Sequence, residues 1–506
     1  MQALIENDIW FKLLAYLAIV FVFFVGLIFL VLIIVYILDI TQTKHAIRHN
    51  YPVVGRLRYF FEHLGTFFRQ YFFSLDREEL PFNRAERSWV YRAAKKVDNT
   101  TAFGSTRDLR PSGTILFVNC PFPQLGQTVS PPLAITLGQY CKTPYTVDKF
   151  FHISGMSYGA LSKPAVLALS QGAKQAGIWL NTGEGGVTPY HLQGGADIVF
   201  QIGTAKYGVA DAQGQLSLDK LRDLAINPQI KMFELKLSQG AKPGKGGILP
   251  GKKVTAEIAQ FRGIKIGVDS ISPNRFPEVD SVESLLDFIQ LIRETTGKPV
   301  GFKTVIGSYS WIESLFREIK LRGMESAPDF ITIDSADGGS GAAPASLIDY
   351  MGLPIKESLP MLVHLRKRYG LDNRIRYIAS GKLITPADVA WALCAGAEFV
   401  VSARGFMFAL GCIQAMQCNK DTCPTGITTH RKRLQKGLNP QQKSLRIANY
   451  ALNMVQEVGI IAHSCGVDTP RDLQTYHAHI VCPDGLSRPL DEIYNNIINR
   501  NSNHEF

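Results

Sequence analysis

The chain has 506 residues, of which 46% are hydrophobic and 19% charged, and it carries a formal net charge of +11. These proportions exclude an intrinsically disordered protein, and eight cysteines are too few for a disulfide-rich secreted scaffold of this length. The length suits one large barrel with appendages.

The first predicted element is a membrane-spanning helix. Residues 13–38 carry no charge, and a helix of this length is about 39 Å long, which exceeds the roughly 30 Å of bilayer hydrocarbon. A secretory signal is the alternative, but its apolar region would be shorter and followed by small residues at a cleavage site. Basic residues follow the helix, so a single-pass protein with its catalytic part on the cytoplasmic side is expected; they are Lys44, Arg48, Arg56, Arg58 and Arg69.

The next segment, residues 51–75, interleaves arginine with phenylalanine and tyrosine. This composition suits a helix at the level of the lipid headgroups, and the same composition could stack on nucleic acid bases. Its position directly after an apolar helix favours the lipid. The net charge then indicates attraction to an anionic membrane leaflet, and no nucleic acid partner is expected.

From about residue 150 onward, short apolar runs alternate with glycine-rich turns and helical segments. Helices are predicted over 163–176, 282–295, 310–322 and 386–395, and strands in FFHIS, IWLN, DIVFQIG, KMFELK, IGVDSIS, PVGFKTVIG, DFITID, RIRYIAS and EFVVSA. Such alternation indicates a parallel sheet, and about eight units favour a closed (β/α)8 TIM barrel. The alternative, an open doubly wound sheet, is weakened because no glycine fingerprint follows the first strand.

Polar and basic side chains lie where the predicted strands end. The loops after these strand ends build the active site of a (β/α)8 barrel, so the following are expected to converge at one mouth: Ser157, Asn181, Glu184, Lys236, Gln239, Lys242, Lys303 and Asp337. The last two units end near Gly381 and Gly405, where such barrels hold a phosphate on backbone N–H groups. Three lysines, together with the group of three cysteines described next, favour a flavin phosphate, an anionic substrate and electron transfer.

The final motif is a group of three cysteines, Cys412, Cys418 and Cys423, with a proline directly after the last. At about 100° per residue one continuous helix cannot point all three thiols at one centre, so a loop is expected to fold around it. An iron–sulfur cluster accepts this wide spacing and suits a redox barrel. Zinc is an alternative that would need a fourth ligand such as His430, and three uncoordinated thiols are another. Three ligands fit a 3Fe-4S cluster.

Six motifs together resemble one family. MSYGALSKP, NTGEGG, QGAKPGKGGILPGKKV, FKTVIG, DSADGGSGAAP and C-x5-C-x4-C-P-T-G-I-T-T occur in the order found in the FMN-binding synthase domain of glutamate synthase, over roughly residues 145–470. The apolar helix and the segments PVVGRLRYFFE and RSWVYRAAKKVDNT further resemble short, membrane-anchored relatives, described as FMN-binding glutamate synthase family proteins.

The resemblance implies an enzyme, an FMN-dependent oxidoreductase in which FMN supplies the hydride that reduces an imine of 2-oxoglutarate and ammonia. It implies 3Fe-4S ligation by the three cysteines. It also implies catalytic roles for Lys303, Lys236, Asp337 and Glu184. Cofactor binding falls on Met156, Ser157, Tyr158, Gly159, Asn181, Gln239, Lys242, Gly338, Gly339, Gly341, Gly381 and Gly405.

The predicted organisation is an anchor over 1–40, a juxtamembrane segment over 41–110, the barrel over 111–411, the iron–sulfur loop over 412–430 and a helical extension over 431–506. A cysteine nucleophile of the family's glutaminase domain is not expected at this N-terminus, and the family's C-terminal β-helix domain is not expected either, so ammonia would come from elsewhere. Electrons would come from a ferredoxin or an NAD(P)H-linked subunit.

The chain also departs from the family's motifs at Lys245, Arg275, Ala336 and Lys382. These positions lie at the rim and the phosphate loop, so they leave open a different, more anionic 2-oxo acid or another amine. A non-catalytic electron-transfer subunit of a membrane complex is a further alternative.

Overall fold

A computed structural model describes residues 2–98, 100–125 and 132–494, without the side chains of residues 2–8. The chain divides into two compact units, Met1–Arg84 and Ala85–Phe506. In the first unit, the helix Gln2–Thr41 includes a stretch, Ile9–Thr41, that is long and apolar enough to cross a bilayer. The helices Ala46–Asn50 and Gly55–Phe68 and a π-helical turn, Arg69–Phe73, follow it.

One carboxylate fixes the turn between the apolar helix and the aromatic helix after it. Asp39 lies near the end of the apolar helix, and its side chain is 1% exposed. Arg56 Nη2 donates to Asp39 Oδ1 at 2.8 Å, and the backbone N–H of Val53 donates to Asp39 Oδ2 at 3.0 Å. The buried charge of Asp39 is thereby paired with a guanidinium group.

The second unit contains a closed barrel of eight parallel strands, which confirms the predicted fold class. Each strand pairs with the next along the chain, and the eighth pairs with the first through the register Val401 to His152. In chain order the strands are Phe151–Ile153, Leu180–Asn181, Ile198–Ile202, Ile230–Lys236, Val300–Val305, Phe330–Asp334, Arg376–Ser380 and Phe399–Ser402.

Helices connect the strands and surround the barrel. In chain order, with the helix that precedes the barrel and those that follow it, they are Arg84–Ala94, Lys163–Ala176, Pro189–Leu192, Leu218–Ile226, Ala256–Arg262, Val282–Thr296, Ser310–Arg322, Ala345–Ile348, Ile355–Arg368, Pro386–Cys394, Arg404–Leu410, Lys432–Gln435 and Pro440–Ser464. Short 3-10 turns lie at Gly251–Lys253, Met324–Ser326, Pro470–Asp472 and Thr475–His477. The connections put the C-terminal ends of all eight strands at one mouth.

One predicted strand, IGVDSIS, is wrong as a barrel element. Only Ser270–Ile271 is extended there, and it pairs with Ile248–Leu249 outside the barrel. Its apolar side chains face solvent: Ile266 is 65% exposed and Ile271 is 63% exposed. A barrel strand is covered by helices outside and by side chains inside, and this segment has neither cover. Another outer pair joins Ile135–Leu137 to Tyr145–Val147.

The prediction of a purely helical extension over 431–506 is wrong, because this part also contains two strands. The strands Ala478–Val481 and Ser487–Pro489 form an antiparallel sheet with Ile115–Phe117. The helix Pro440–Ser464 does pack on the barrel helix Lys163–Ala176, and a Cβ at Gly172 would come within 2.5 Å of Ile447 Cβ. Residues 495–506 of the predicted extension lie outside the described residues.

A buried ion-pair cluster closes the opposite end of the barrel from the mouth. Asp329 accepts from Arg374 Nη1 at 2.8 Å and from Arg293 Nε at 3.2 Å, and the N–H of Val300 donates to it at 2.8 Å. The Asp329 side chain is fully buried. Both arginines also donate to the carbonyl of Ala327, so this cluster joins three segments of chain.

Replacing Asp329 with asparagine is expected to lower the free energy of unfolding by about 3–5 kcal/mol, because two buried guanidinium groups lose their counter-charge. Chemical denaturation of the full chain in detergent measures this. The matched control is Asp287→Asn, whose carboxylate is 69% exposed and pairs with Arg322 at the surface. That change should alter stability by about 0–1 kcal/mol. Equal effects of the two substitutions would contradict a stabilising role for the buried cluster.

Candidate active site

A cleft opens at the mouth of the barrel and encloses about 500 Å³ of empty space, counting the part that is open to solvent. The structure places five of the predicted site residues along it: Lys236, Gln239, Lys303, Gly339 and Gly381. The other lining residues are Ser154, Gly155, Gln201, Asp334, Ser380, Lys382, Ile384, Ser402, Ala403 and Arg404.

Lys303 lines the cleft and is held there by a carboxylate that the sequence did not single out. It lies on the fifth barrel strand and is 7% exposed. Its Nζ is 3.3 Å from Asp334 Oδ2 at the end of the sixth strand. Asp334 also accepts from Ser380 Oγ at 2.8 Å and from the N–H of Gly240 at 3.0 Å. Because the carboxylate is fixed from three sides, the ammonium group has a defined position.

Lys236 and Glu184 form a second pair at the mouth. Lys236 Nζ is 3.1 Å from Glu184 Oε2, and both side chains are less than one-fifth exposed. Burial alone would raise the pKa of Glu184, but Lys236 and Lys242 outweigh burial and leave that pKa below its ordinary value. Gly247 leaves room for this carboxylate, because a Cβ there would lie 2.4 Å from Glu184 Oε1.

Lys242 lies beside this pair, but it does not line the cleft. It is 3% exposed, and burial lowers the pKa of its amine to about 8. The loop that carries it also carries Gly240, whose Cβ would lie 1.7 Å from the carbonyl oxygen of Ser335. Glycine is therefore required where this loop packs on the end of the sixth strand.

Asp337 lies at the rim with a side chain that is 47% exposed. Its Oδ2 is 3.2 Å from Lys382 Nζ, its Oδ1 accepts from Ser335 Oγ, and its carbonyl oxygen accepts from Arg404 Nη2 at 3.1 Å. In this structure Asp337 thus orients the two cationic side chains that flank the seventh and eighth strand ends.

The loop after the first barrel strand is held by basic side chains on three successive carbonyl groups. Arg262 Nη2 donates to the carbonyl of Tyr158 at 3.0 Å, and His430 Nε2 donates to that of Gly159 at 2.8 Å. Lys253 Nζ donates to that of Ala160 at 2.8 Å. Of this loop's predicted cofactor residues, Met156, Tyr158 and Gly159 are buried and Ser157 is half-buried.

Asn181 lies below the mouth, where its Nδ2 donates to Glu234 Oε1 at 2.8 Å. The predicted glycines differ in their surroundings. The N–H of Gly405 donates to Ser402 Oγ at 3.3 Å, and a Cβ at Gly405 would meet Tyr450. Gly338 packs on Ser335, whereas Gly341 has open space beside it.

The three cysteines lie in one loop between Arg404–Leu410 and Lys432–Gln435. Burial raises the pKa of Cys412 to about 12 and raises that of Cys418. Burial acts the same way on Cys423, but hydrogen bonds from Thr425 and Thr428 hold the pKa of Cys423 below its ordinary value. Among the described residues no three Cys, His, Asp or Glu side chains are positioned to hold a metal ion.

Two kinds of site residue were missed from the sequence. Arg404 lies two residues after the end of the eighth strand, and that position was the available signal. Gln201, Glu234 and Asp334 belong to barrel strands. Their signal is a polar residue at a position that faces the inside of the barrel. That orientation can be recognised only when the register of the barrel strands is known.

Comparison with known proteins supports the family resemblance that the six motifs indicate. A match to the family described as the conserved region in glutamate synthase covers residues 125–468. The glutamate synthase large subunit-like protein YerD of Bacillus subtilis (strain 168) is 38% identical over 503 residues, which cover 92% of this chain and 95% of that protein. An archaeal glutamate synthase [NADPH] of Methanocaldococcus jannaschii is 34% identical over 340 residues, which cover 65% of this chain and 61% of that protein.

Among solved structures, a flavocytochrome b2 double variant with sulfite bound is 14% identical with a TM-score of 0.44, covering 87% of this chain and 91% of that chain. The family match and YerD each cover more than half of the chain, so the predicted resemblance and enzyme class are confirmed. This chain belongs to the glutamate synthase family of oxidoreductases.

Proposed function

We propose that the protein is a membrane-anchored FMN and iron–sulfur oxidoreductase that converts 2-oxoglutarate and ammonia to L-glutamate. One observation carries this proposal most strongly. In a chain of the glutamate synthase family, four cationic side chains converge on one cleft at the barrel mouth; they are Lys236, Lys303, Lys382 and Arg404.

The charge balance at the mouth suits an anionic ligand. Lys242 brings the cations to five, and three carboxylates stand against them: Glu184, Asp334 and Asp337. Cations therefore outnumber carboxylates within the group. A dicarboxylate carries two negative charges, and fixed cations in a partly desolvated mouth bind such a substrate much better than water-exposed cations do.

The donor set also fits FMN. Lys382, Arg404 and the hydroxyl groups of Ser380 and Ser402 offer cationic and hydrogen-bonding groups for a phosphate at the ends of the seventh and eighth strands. The loop 156–159 would lie against the ring system, and Lys303 or Lys236 would stabilise negative charge on it. When bound, FMN supplies the hydride for the reduction.

The chain's own residues would orient the substrate. Lys303, held by Asp334, would bind one carboxylate, and Lys236, held by Glu184, would bind the second or the 2-oxo group. Gln239 donates from Nε2 to the carbonyl of Gly339 at 3.0 Å, which ties the fourth-strand loop to the sixth-strand loop across the cleft. Such fixed geometry lowers the entropic barrier to the reaction.

The 3Fe-4S proposal rests on the donor chemistry of the three cysteines and not on their arrangement. Three thiols in one loop before a proline fit an iron–sulfur centre. Tyr91 Oη donates to the carbonyl of Cys412 at 2.6 Å, and Lys253 Nζ donates to that of Cys418 at 3.2 Å, so the loop backbone is held at two points. The side chains themselves do not surround one metal position.

We also propose that Ile9–Thr41 is retained as a single-pass anchor, with the barrel on the cytoplasmic side. Its length and apolar character support a span, and the basic residues that follow it support the orientation. A ferredoxin or an NAD(P)H-linked subunit would supply electrons from that side. The similar protein from M. jannaschii carries NADPH in its name, which supports an NAD(P)H-linked subunit as the electron donor.

A second candidate substrate is a more anionic 2-oxo acid. Lys382 and Arg404 both line the cleft, and Asp337 contacts both, so the rim could bind a further anionic group if that carboxylate moved away. This candidate keeps the cofactors and the reaction type and changes only the acid.

The test is turnover of the detergent-solubilised full chain under anaerobic conditions with a chemical reductant, 2-oxoglutarate and 15N-labelled ammonium. Labelled L-glutamate, identified by mass spectrometry, is the expected product. Labelled product from a tricarboxylic 2-oxo acid but not from 2-oxoglutarate would establish the second candidate. No labelled amino acid from any 2-oxo acid would contradict the proposal.

The lowered pKa of Lys242 predicts that the turnover rate depends on pH. Because burial lowers its pKa to about 8, the group is charged below that pH and neutral above it. The turnover rate is expected to fall as the pH rises through about 8, since a positive charge beside Glu184 is lost. The stability effect has the opposite sign: the cost of burying the charged amine is relieved between pH about 8 and 10.5.

A pH–rate profile checks this expectation. Lys242→Arg keeps the charge at every accessible pH, so the fall above pH about 8 should disappear in that variant if it stays folded. A wild-type rate that is flat across this range, or a fall that persists unchanged in folded Lys242→Arg, would contradict the role given to Lys242.

A further inference from the structure

A small cavity lies inside the barrel, one layer of side chains below the mouth. Ser154 lines both the cleft and this cavity. About 10 Å³ is open to the centre of a water-sized molecule, which is room for about one such molecule. The floor is apolar and includes Met232 and Phe330, whereas Asn181, Glu234 and Thr332 make the upper wall polar.

The polar wall is organised around one buried carboxylate, Glu234, which is 3% exposed. Its Oε1 accepts from Asn181 Nδ2 at 2.8 Å and from Gln201 Nε2 at 2.6 Å. Its Oε2 accepts from Thr332 Oγ1 at 2.6 Å. All three donors are neutral.

No cation of the described parts of the chain pairs with this carboxylate. The lysines at the neighbouring strand ends pair elsewhere: Lys236 with Glu184 and Lys303 with Asp334. A carboxylate buried without a counter-charge is costly, and neutral hydrogen bonds offset only part of that cost. A small cation in the adjoining cavity would complete the site.

The geometry restricts the kind of cation. Divalent metal ions require about six oxygen ligands, several of them anionic, and this cavity offers one carboxylate. Ammonium has the size of a water molecule and four N–H donors. Glu234 offers carboxylate oxygens, and Ser154 and Thr332 offer hydroxyl oxygens that can accept from it.

We propose that Glu234 binds ammonium in this cavity and so sets the affinity for the amino-group donor of the reaction proposed above, on which this inference rests. The site adjoins the cleft: Gln201 lines the cleft and donates to Glu234, and Ser154 lines both spaces. Ser154 and Gln201 would therefore lie between the bound ammonium and the cleft proposed for the 2-oxo acid.

Steady-state kinetics of Glu234→Gln provide the first test. This change keeps the size of the side chain and removes the charge. The KM for ammonium should rise roughly 10- to 100-fold, the factor that corresponds to one charged hydrogen bond. The KM for 2-oxoglutarate and the flavin content should change by less than about twofold, a split that a general loss of structure would not produce. Glu234→Asp, which keeps the charge, should recover part of the ammonium affinity.

Glu318→Gln is the matched control, because it makes the same chemical change on an outer helix where Glu318 pairs with Arg322. Its KM for ammonium should equal that of the wild type. An unchanged KM for ammonium in folded Glu234→Gln would overturn the inference, as would an equal rise in the KM for 2-oxoglutarate.

A binding measurement on the wild type keeps the inference testable if Glu234→Gln does not fold or if the wild type makes no glutamate. Thermal unfolding is followed in ammonium chloride, sodium chloride and methylammonium chloride at equal ionic strength. Ammonium alone is expected to raise the melting temperature, because methylammonium exceeds the cavity. Equal melting temperatures in the three salts would overturn the ammonium site, whereas an absence of turnover would contradict only the proposed reaction.

Discussion

Replacing Lys303 with methionine is expected to lower the rate of glutamate formation by roughly 100- to 1,000-fold, the loss that follows removal of one preorganised charge from an active site. Methionine is close to lysine in length but carries no charge. Lys303 lines the cleft at the mouth, where its Nζ is 3.3 Å from Asp334 Oδ2. The substitution therefore removes a cation from the substrate position and leaves a buried carboxylate unpaired.

The unpaired carboxylate is expected to lower the stability of Lys303→Met, which is measured separately from the rate. An uncompensated Asp334, whose side chain is 5% exposed, should lower the free energy of unfolding by about 3–5 kcal/mol. Adding Asp334→Asn in the same chain should restore stability without restoring the rate, because the substrate still lacks its cation. Steady-state rates and denaturation of both variants separate the two effects.

Lys231→Met is the control for Lys303→Met. Lys231 lies at the start of the fourth barrel strand, away from the mouth, where its Nζ is 3.6 Å from Asp197. Its loss should leave the rate within about twofold, since an exposed pair contributes little. A rate in Lys303→Met that matches the rate in Lys231→Met would contradict an active-site role for Lys303 and would favour the non-catalytic alternative.

Replacing Cys418 with serine is expected to remove the iron–sulfur centre. The iron content and the electron paramagnetic resonance signal of the oxidised protein should fall to background, because a hydroxyl group is a poor ligand for iron in a cluster. Flavin should remain bound. Two contacts join the cysteine loop to the loop 156–160, and the substitution leaves both in place: Lys253 bridges the carbonyl groups of Cys418 and Ala160, and His430 donates to the carbonyl of Gly159.

Cys482→Ser is the matched control, because Cys482 lies in the turn between the two C-terminal strands and should leave iron content unchanged. Wild-type protein purified anaerobically without iron, or iron that persists in Cys418→Ser, would contradict the cluster. Zinc in place of iron would support the alternative that the spacing left open.

The barrel was predictable because the signals that define its elements are local. The predicted helices 163–176 and 310–322 coincide with those observed. Glycines in the left-handed conformation at Gly177 and Gly297 end two helices where the sequence places them. IGVDSIS failed because its alternating valine and isoleucine give the same local pattern as a strand, and only packing reveals that these side chains face solvent.

The site was predictable in part for the same reason. Lys236 and Lys303 follow from the rule that strand ends build the mouth, and both line the cleft. The ion pairs did not follow: Glu184 was predicted at the mouth but not as the partner of Lys236, and Asp334 was not predicted at all. Both pairs form only through the closed register of strands that are distant in sequence. Asp337 was predicted as catalytic from its motif, and its position at the rim with Lys382 gives it an orienting contact that spacing alone could not reveal.

The most direct test of the central claim is the flavin itself. The purified full chain, solubilised in detergent, is reduced anaerobically while its visible absorbance is recorded, and 2-oxoglutarate is then added with ammonium. We expect one bound FMN per chain that bleaches on reduction and regains its colour only when both substrates are present, with L-glutamate as the product. A protein that is colourless as purified and stays so after incubation with FMN would contradict the account.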